Sequence, residues 1–364
     1  MIIENLKLIN FRNYDQLEIE FSPHLNFIIG ENGSGKTNII EAISILSGFR
    51  SFKNISDSDI VKWGCDSYYC KGEIIESDYK KFEVGFFKDK EISKKKVKID
   101  GSEISKISEF YGRFLTVVFS PDDINIINGT PELRRRFFDS VISKIYPDYI
   151  NDLNNFRHIL NSRNTMLKNI ANGQVNIKQI EVWDELFASK AMVLIKKRRE
   201  FIEIFNKVFS KIYSNISNDD TCEFFYTGLP FDKKEDFLEF LNKKKSEDLK
   251  KKTTTFGPQR DDYILKKDDI NFTNYSSQGQ KRAASVSLKV SEIDIIENIS
   301  GKKSVILVDD IFSELDEKRR NNMIDSIKNK GQIIFTMVSF NKIEDLSKDY
   351  KIFEVNKGKL KFLK

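Results

Sequence analysis

The sequence predicts an α/β protein: a mixed-sheet P-loop core plus an antiparallel β-layer, with an inserted α-helical lobe. Three observations carry this. A glycine-rich loop stands between a strand-length apolar run and a helical pattern near the N-terminus. β-branched apolar runs return at 304–308 and 333–338. Between them, from about 125 to 245, the apolar spacing is helical.

Residues 1–21 alternate apolar and polar around Asn10-Phe11-Arg12-Asn13-Tyr14, which reads as two strands with a bend. The run Leu25-Asn26-Phe27-Ile28-Ile29 is a third. Gly30-Glu31-Asn32-Gly33-Ser34-Gly35-Lys36-Thr37 then fits the phosphate-loop pattern G-x-x-x-x-G-K-[ST], and 38–46 continue as a helix that stops at Gly48. Glycines let the backbone wrap a phosphate, and amides at a helix start supply positive potential. Lys36 is placed on the β- and γ-phosphates as a catalytic group, and the Thr37 hydroxyl on Mg²⁺. The nucleotide set is therefore Gly30, Glu31, Asn32, Gly33, Ser34, Gly35, Lys36, Thr37 and Asn38.

Short strands follow at 68–74, 82–87 and 97–99, with Asp100-Gly101 as a hairpin signal. A buried strand at 113–119 is broken by Ser120-Pro121-Asp122-Asp123. Thr130-Pro131-Glu132 opens the helical stretch, with proline at the first helical position. Helices are expected over 149–170 and 177–214, and a loosely packed lysine-rich one over 234–252. The expected division is a head of 1–124 and 246–364 and a helical lobe of 125–245.

Ser304-Val305-Ile306-Leu307-Val308 reads as a central parallel strand, and ends in Asp309-Asp310. That is a Walker B pattern: Asp309 can bind the Mg²⁺ held by Thr37, and Asp310 can orient or deprotonate the attacking water. Upstream, Ser277-Gln278-Gly279-Gln280 opens a helix, a second place where a hydroxyl and amides could meet an anion; Ser277, Gly279 and Gln280 join the nucleotide set. Strands at 352–355 and 360–363 are expected to close the sheet.

Ser277-Gln278-Gly279-Gln280 resembles the ABC-ATPase signature, and Ser313-Glu314-Leu315-Asp316 after Walker B looks like its D-loop. The chain resembles the RecF family of bacterial recombination and gap-repair ATPases, related to SMC-type chromosome proteins. The resemblance rests on Leu8-Ile9-Asn10-Phe11-Arg12-Asn13-Tyr14, Phe119-Ser120-Pro121-Asp122-Asp123, Arg134-Arg135-Arg136-Phe137-Phe138-Asp139, Gly257-Pro258-Gln259-Arg260-Asp261-Asp262 and 308–316. It implies an ABC-type ATPase head, ATP as cofactor and an ATP-dependent homodimer with Ser277 reaching the γ-phosphate in trans. It also implies slow, DNA-dependent hydrolysis, binding of double-stranded or gapped DNA, and RecR with RecO as partners in loading a recombinase. A transporter-type subunit would carry a clear Q-loop and a switch histidine after 333–338; Thr336 to Ser339 stand there instead. The alternative is an SMC-like structural or defence-system ATPase head that does not act in gap repair.

Composition narrows the rest. Sixty Lys and Arg against 55 Asp and Glu give a net charge of +5, so any DNA contact must come from local patches. Candidates are 94–96, 134–136, 196–199, 243–245 and 250–252, together with Arg50. Cys65, Cys70 and Cys222 with two histidines argue against disulfides or zinc and for a reducing cytoplasm; no apolar run suits a membrane.

Overall fold

The computed structural model describes residues 1–89, 92–219, 221–340 and 349–364. The chain divides into two compact units, one of Met1–Ile124, Asn215–Asp219 and Ser277–Lys364, the other of Asn125–Ser214 and Asp220–Ser276.

The first unit begins with β1 (Ile2–Phe11), β2 (Tyr14–Glu20), β3 (Leu25–Ile29), α1 (Lys36–Gly48) and the short α2 (Asp57–Ile60). Next come β4 (Ser67–Ile75), β5 (Tyr79–Lys88), β6 (Ser93–Ile99), β7 (Ser102–Glu103) and β8 (Thr116–Phe119). β2, β1, β4, β5, β6 and β7 form the antiparallel layer in that spatial order. Alternation explains it: Tyr68, Cys70 and Ile74 of β4 and Phe82, Val84 and Phe86 of β5 point inward, and α1 buries Ile39, Ile40, Ile43 and Leu46 in the same core.

The second unit holds α3 (Ile124–Asn128), α4 (Pro131–Ile145), α5 (Asp148–Ala171), α6 (Ile180–Ser217), β9 (Glu223–Thr227), α7 (Lys234–Lys251), β10 (Asp262–Lys267), β11 (Ile270–Asn271) and α8 (Phe272–Tyr275). It reaches Ser276 rather than residue 245, because β10 pairs with β9 and Arg134 of α4 grips Asp262 through two hydrogen bonds of 2.7 and 2.8 Å. Sequence patterning could not show that pairing, since β9 lies inside the helical stretch. α7 is anchored more firmly than its lysines suggest, burying Phe237, Leu241 and Asp248. Arg163 is fully buried, donating to Asp184 at 2.8 Å and to Asp248 and Thr254 at 2.7 Å each.

The first unit resumes with α9 (Gln278–Ser300), β12 (Val305–Asp309), α10 (Glu317–Ile327), β13 (Ile333–Met337), β14 (Tyr350–Asn356) and β15 (Lys359–Phe362). The second sheet runs β15-β14-β3-β13-β12-β8. All neighbours in it are parallel except β15, which pairs antiparallel with β14. β12 and β13 are buried along their whole length, as expected of strands covered on both faces. β14 and β15 do not extend the far edge beyond β13; β14 lies directly beside β3, so the glycine loop leaves from the interior of the sheet.

One buried charged cluster ties the turn after β8 to α9. Asp123 accepts from the Ser120 amide at 2.8 Å, and Lys289 pairs with Glu292 at 2.6 Å. Burial pushes the Asp123 carboxyl up to about 6, against the pull of Lys289. The folded chain thus holds this proton more tightly than the unfolded chain. The stability so gained is complete below the ordinary aspartate range and is lost as pH rises through about 6. Asp123→Asn, whose amide oxygen can still accept from Ser120, is expected to gain stability over the wild type across that rise. Melting curves of both across the acidic range check this; a constant difference would refute it.

Candidate nucleotide site

Gly30 to Gly35 form the turn between β3 and α1, and the turn is possible only with glycine at two positions. Gly30 has φ +150°, and a Cβ there would meet the Val355 carbonyl of β14 at 2.2 Å. Gly35 has φ +120°, and a Cβ would come within 2.6 Å of Asn13 and 2.9 Å of the Tyr14 hydroxyl. Those two side chains brace the loop. Asn13 Nδ2 donates to the Ser34 carbonyl at 2.8 Å, Tyr14 Oη to the Gly35 carbonyl at 3.0 Å, and Asn38 Nδ2 to Asn13 Oδ1 at 2.8 Å. Asn38 therefore supports the loop from its side chain, and the bend between β1 and β2 is part of the site.

Lys36 is 5% exposed, and its Nζ donates to the carbonyls of Gly30 at 2.6 Å and Glu31 at 2.8 Å. Desolvation lowers its pKa, while the facing carboxylates of Asp310 and Asp309 oppose the shift. Thr37 Oγ1 donates to Asp309 Oδ1 at 2.8 Å, joining residues 272 positions apart in sequence. The same oxygen accepts from Thr336 Oγ1 at 2.8 Å. Asp310 follows in the left-handed region, φ 45°, with its amide donating to Thr336 Oγ1 at 3.1 Å. Desolvation raises the Asp310 pKa, with Asp309 and Glu314 acting the same way and Lys36 against them.

The arrangement suits a nucleoside triphosphate with Mg²⁺. Ser34 Oγ is buried in the loop without a hydrogen-bond partner. A buried donor of this kind is costly unless a ligand meets it, and a phosphate oxygen would. Thr37 and Asp309 offer the hard oxygens that Mg²⁺ prefers.

Ser277, Gly279 and Gln280 lie at the start of α9. Ser277 is the N-cap, its Oγ accepting from the Gln280 amide at 3.2 Å while Gln280 Oε1 accepts from the Ser277 amide at 2.8 Å. Gln280 Nε2 also donates to Asp219 at 2.6 Å, and the Arg319 guanidinium packs over Gly279, where a Cβ would stand 2.9 Å from it. These side-chain bonds stay within the helix start and its neighbours. In the D-loop, Arg282 pairs with Glu314, and Asp316 caps α10 by accepting from the Arg319 amide at 2.9 Å; the Ser313 side chain lies outside the described ones.

Sequence reasoning missed four contributors. Thr336 orients Asp309, and the only signal was the missing histidine at the end of β13. Asn13 and Tyr14 brace the loop. Arg12 makes a bidentate pair with the fully buried Glu41 of α1, at 2.8 and 2.9 Å.

The basic patches fare differently from expectation. Lys95 is buried under Phe49 and bonded to Asp57 at 2.6 Å. Arg134 is spent on Asp262, and Arg135 on the Asp261 carbonyl at 2.5 Å. Arg198 is 2% exposed among Asp139, Tyr149 and the Pro258 carbonyl, and Arg199 holds Asp232 at 2.7 Å. Lys243, Lys244 and Lys245 face Glu239, Glu247 and Asp184, and Lys251 faces Glu247. Many cations in these runs are internally paired, Arg134, Lys197 and Arg198 with carboxylates far along the chain and Lys243, Lys244 and Lys251 with neighbours one helical turn away.

A family model described as the RecF/RecN/SMC N-terminal domain matches residues 2–361. The DNA replication and repair protein RecF of Leptospira interrogans serogroup Icterohaemorrhagiae serovar Lai is 35% identical over 370 residues, covering 100% of both chains. This chain belongs to the RecF family of DNA replication and repair proteins. Its RecF relative from Clostridium botulinum (strain ATCC 19397 / Type A) is 36% identical over 99% of this chain and 100% of its own. Two solved structures of the recombination mediator protein RecF in the RecFOR pathway, with ATP and with ATPrS, superpose with TM-scores of 0.92 and 0.89. Each is 33% identical, over 100% of this chain and 98% of theirs. An Smc head bound to the C-winged helix domain of ScpA, 18% identical with a TM-score of 0.56 over 100% of this chain and 97% of its own, shares the fold. The RecF-type fold, an ABC- and SMC-like α/β head with a helical insertion, is thus the fold of this chain. Among the described residues no helix is long and apolar enough to cross a membrane.

Proposed function

We propose that this RecF-family chain is an ATP-driven DNA-binding protein of recombinational and gap repair, whose dimer forms on ATP and is released by slow, DNA-dependent hydrolysis. The observation that carries it is the Thr37–Asp309 contact of 2.8 Å, which brings the phosphate loop and Walker B together and supports a shared Mg²⁺–nucleotide site. Bound ATP with Mg²⁺ supplies the scissile phosphoanhydride and neutralises its charge. Gly30 to Asn38 bind the phosphates, Lys36 leaves the Gly30 and Glu31 carbonyls for them, and Thr336 keeps Asp309 turned toward Thr37.

Asp310 holds the proton of the attacking water in this reading. Its raised pKa fits a base in a partly dry site beside Asp309, and turnover should rise with pH as it ionises. Ser277, Gly279 and Gln280 complete the site from a second copy: a serine hydroxyl at a helix start favours an anion, and in their own subunit Ser277 and Gln280 are engaged by the capping box and Asp219. The proposed partners are double-stranded or gapped DNA and, by family, RecR with RecO; the compartment is the cytoplasm. Full-length identity to RecF proteins favours this over the SMC-like structural or defence head, and over a transporter subunit.

Asp310→Asn is expected to keep ATP binding, lower turnover at least ~100-fold and leave the ATP-bound dimer long-lived. Phosphate release and light scattering with ATP and gapped DNA test this. Normal turnover in the variant would remove the role assigned to Asp310.

A further inference from the structure

The segment between α1 and β4 presents a fully exposed tryptophan. Trp63 is 97% exposed, in a turn just after α2. Two aromatic neighbours in sequence, Phe49 and Phe52, pack against the core, so exposure is not general to the segment. Register places more side chains at the same end of the β-layer. Ser67, four residues on, pairs with Phe87, which pairs with Lys94. The Lys88 amide donates to the Asp66 carbonyl at 2.8 Å, and Phe87 is half exposed. Arg50 and Lys53, on the loop leaving α1, are also exposed. Arg50, Lys53, Lys88 and Lys94 are exposed, and two carboxylates of the same region, Asp15 and Asp57, are held by Lys62 and Lys95. These four cations stay exposed, in contrast to Arg134, Arg135 and Arg198, which are drawn into internal bonds.

The segment is also wired to the nucleotide loop. Arg12, which is bonded to Glu41 of α1, donates from NH1 to the Asp59 carbonyl at 2.8 Å and from its amide to the Ile60 carbonyl at 2.8 Å. The Lys62 amide donates to the Asn10 carbonyl at 2.9 Å, and Ser51 Oγ donates to Glu41 at 2.5 Å. The adjacent residues Asn13 and Tyr14 hold the carbonyls of Ser34 and Gly35. The consecutive residues Arg12, Asn13 and Tyr14 thus bond α2 on one side and the phosphate loop on the other.

We propose that Trp63, with Arg50, Lys53, Lys88 and Lys94, is a nucleic-acid contact surface that takes an unpaired base beside a duplex. The cations bind backbone phosphates irrespective of sequence, and the indole stacks on a base. A stacked duplex offers no free base face along its length, so the ring selects a gap or single-strand junction. This deepens the DNA-binding reading above and rests on it.

The chain has two tryptophans, so Trp183→Phe leaves Trp63 as the sole indole emitter. That full-length variant is titrated, with ATP, against gapped duplex and blunt duplex of equal length. Gapped DNA is expected to quench Trp63 emission, and blunt duplex is not. Trp63→Ala, a change at a surface site, should weaken gapped-DNA binding about 5- to 150-fold and leave blunt-duplex binding and ATP binding unchanged. Arg50→Ala and Lys53→Ala should weaken both DNAs alike and each lower the salt slope by about one. If the parent binds gapped DNA with unchanged emission, and Trp63→Ala binds as tightly, the surface is wrong while the DNA-binding reading stands. A response of Trp63 emission to RecR or RecO but not to DNA would also overturn it. Failure of the parent to bind any DNA overturns both.

Discussion

Lys36→Ala is expected to abolish ATP-dependent dimerisation and to lower ATP turnover by at least ~100-fold, without unfolding the chain. The ammonium group lies in the phosphate loop, held at 2.6 and 2.8 Å by the Gly30 and Glu31 carbonyls. Preorganised charge at a transferring phosphoryl group typically contributes two to three orders of magnitude, since it needs no rearrangement in the transition state. The fold is insulated from the change, because the loop is braced separately by Asn13, Tyr14 and Gly358, whose amide donates to the Ser34 carbonyl at 3.2 Å. Nucleotide titration and light scattering with and without ATP check the outcome, with circular dichroism as the control. Dimers that form with ATP in the variant would sink the proposed role of the loop.

Arg198→Ala is expected to have the largest effect on stability, about 3–5 kcal/mol, concentrated in the second unit. Its guanidinium is buried and donates to Asp139 at 3.0 and 2.9 Å, to Tyr149 at 3.2 Å and to the Pro258 carbonyl at 2.8 Å. Removal takes from the buried Asp139 and Asp261 carboxylates the cation that bonds them directly, leaving only the more distant pull of Arg135, a penalty greater than the loss of the bonds themselves. Lys196, two residues earlier and 76% exposed, should change stability by less than ~0.5 kcal/mol on the same substitution. Urea denaturation of both variants decides this. Equal midpoints for the two would refute the buried role of Arg198.

These two residues show where the sequence was legible. Lys36 could be assigned from sequence because phosphate chemistry is local: eight consecutive residues, with β3 before and α1 after, leave few alternatives. Asp309 and Asp310 were legible for the same reason, as polar residues ending a run too apolar for anything but a covered strand. Arg198 was read as part of a DNA-facing patch, since Lys196-Lys197-Arg198-Arg199 looks like a solvated run until the helix it sits on is packed. Asp139 and Asp261, which neutralise it, lie 59 and 63 positions away. The lobe boundary failed similarly: β9 and β10 are joined across the lysine-rich α7, and no local pattern reports that pairing.

By itself, then, the sequence determined the layered α/β class and the likeness to RecF, and carried the phosphate-loop and Walker B patterns, because each is written in contiguous residues whose types the chemistry restricts. The tertiary structure alone decided that Thr336 turns Asp309 toward Thr37, that Asn13 and Tyr14 brace the loop and that Arg12 ties it to the Trp63 turn. It also decided which cations stay exposed and which are drawn into internal pairs. The physical reason is common to all of these: a hydrogen bond or ion pair between distant segments depends on how the chain closes, and charge counted along the sequence says nothing of which carboxylate arrives beside it.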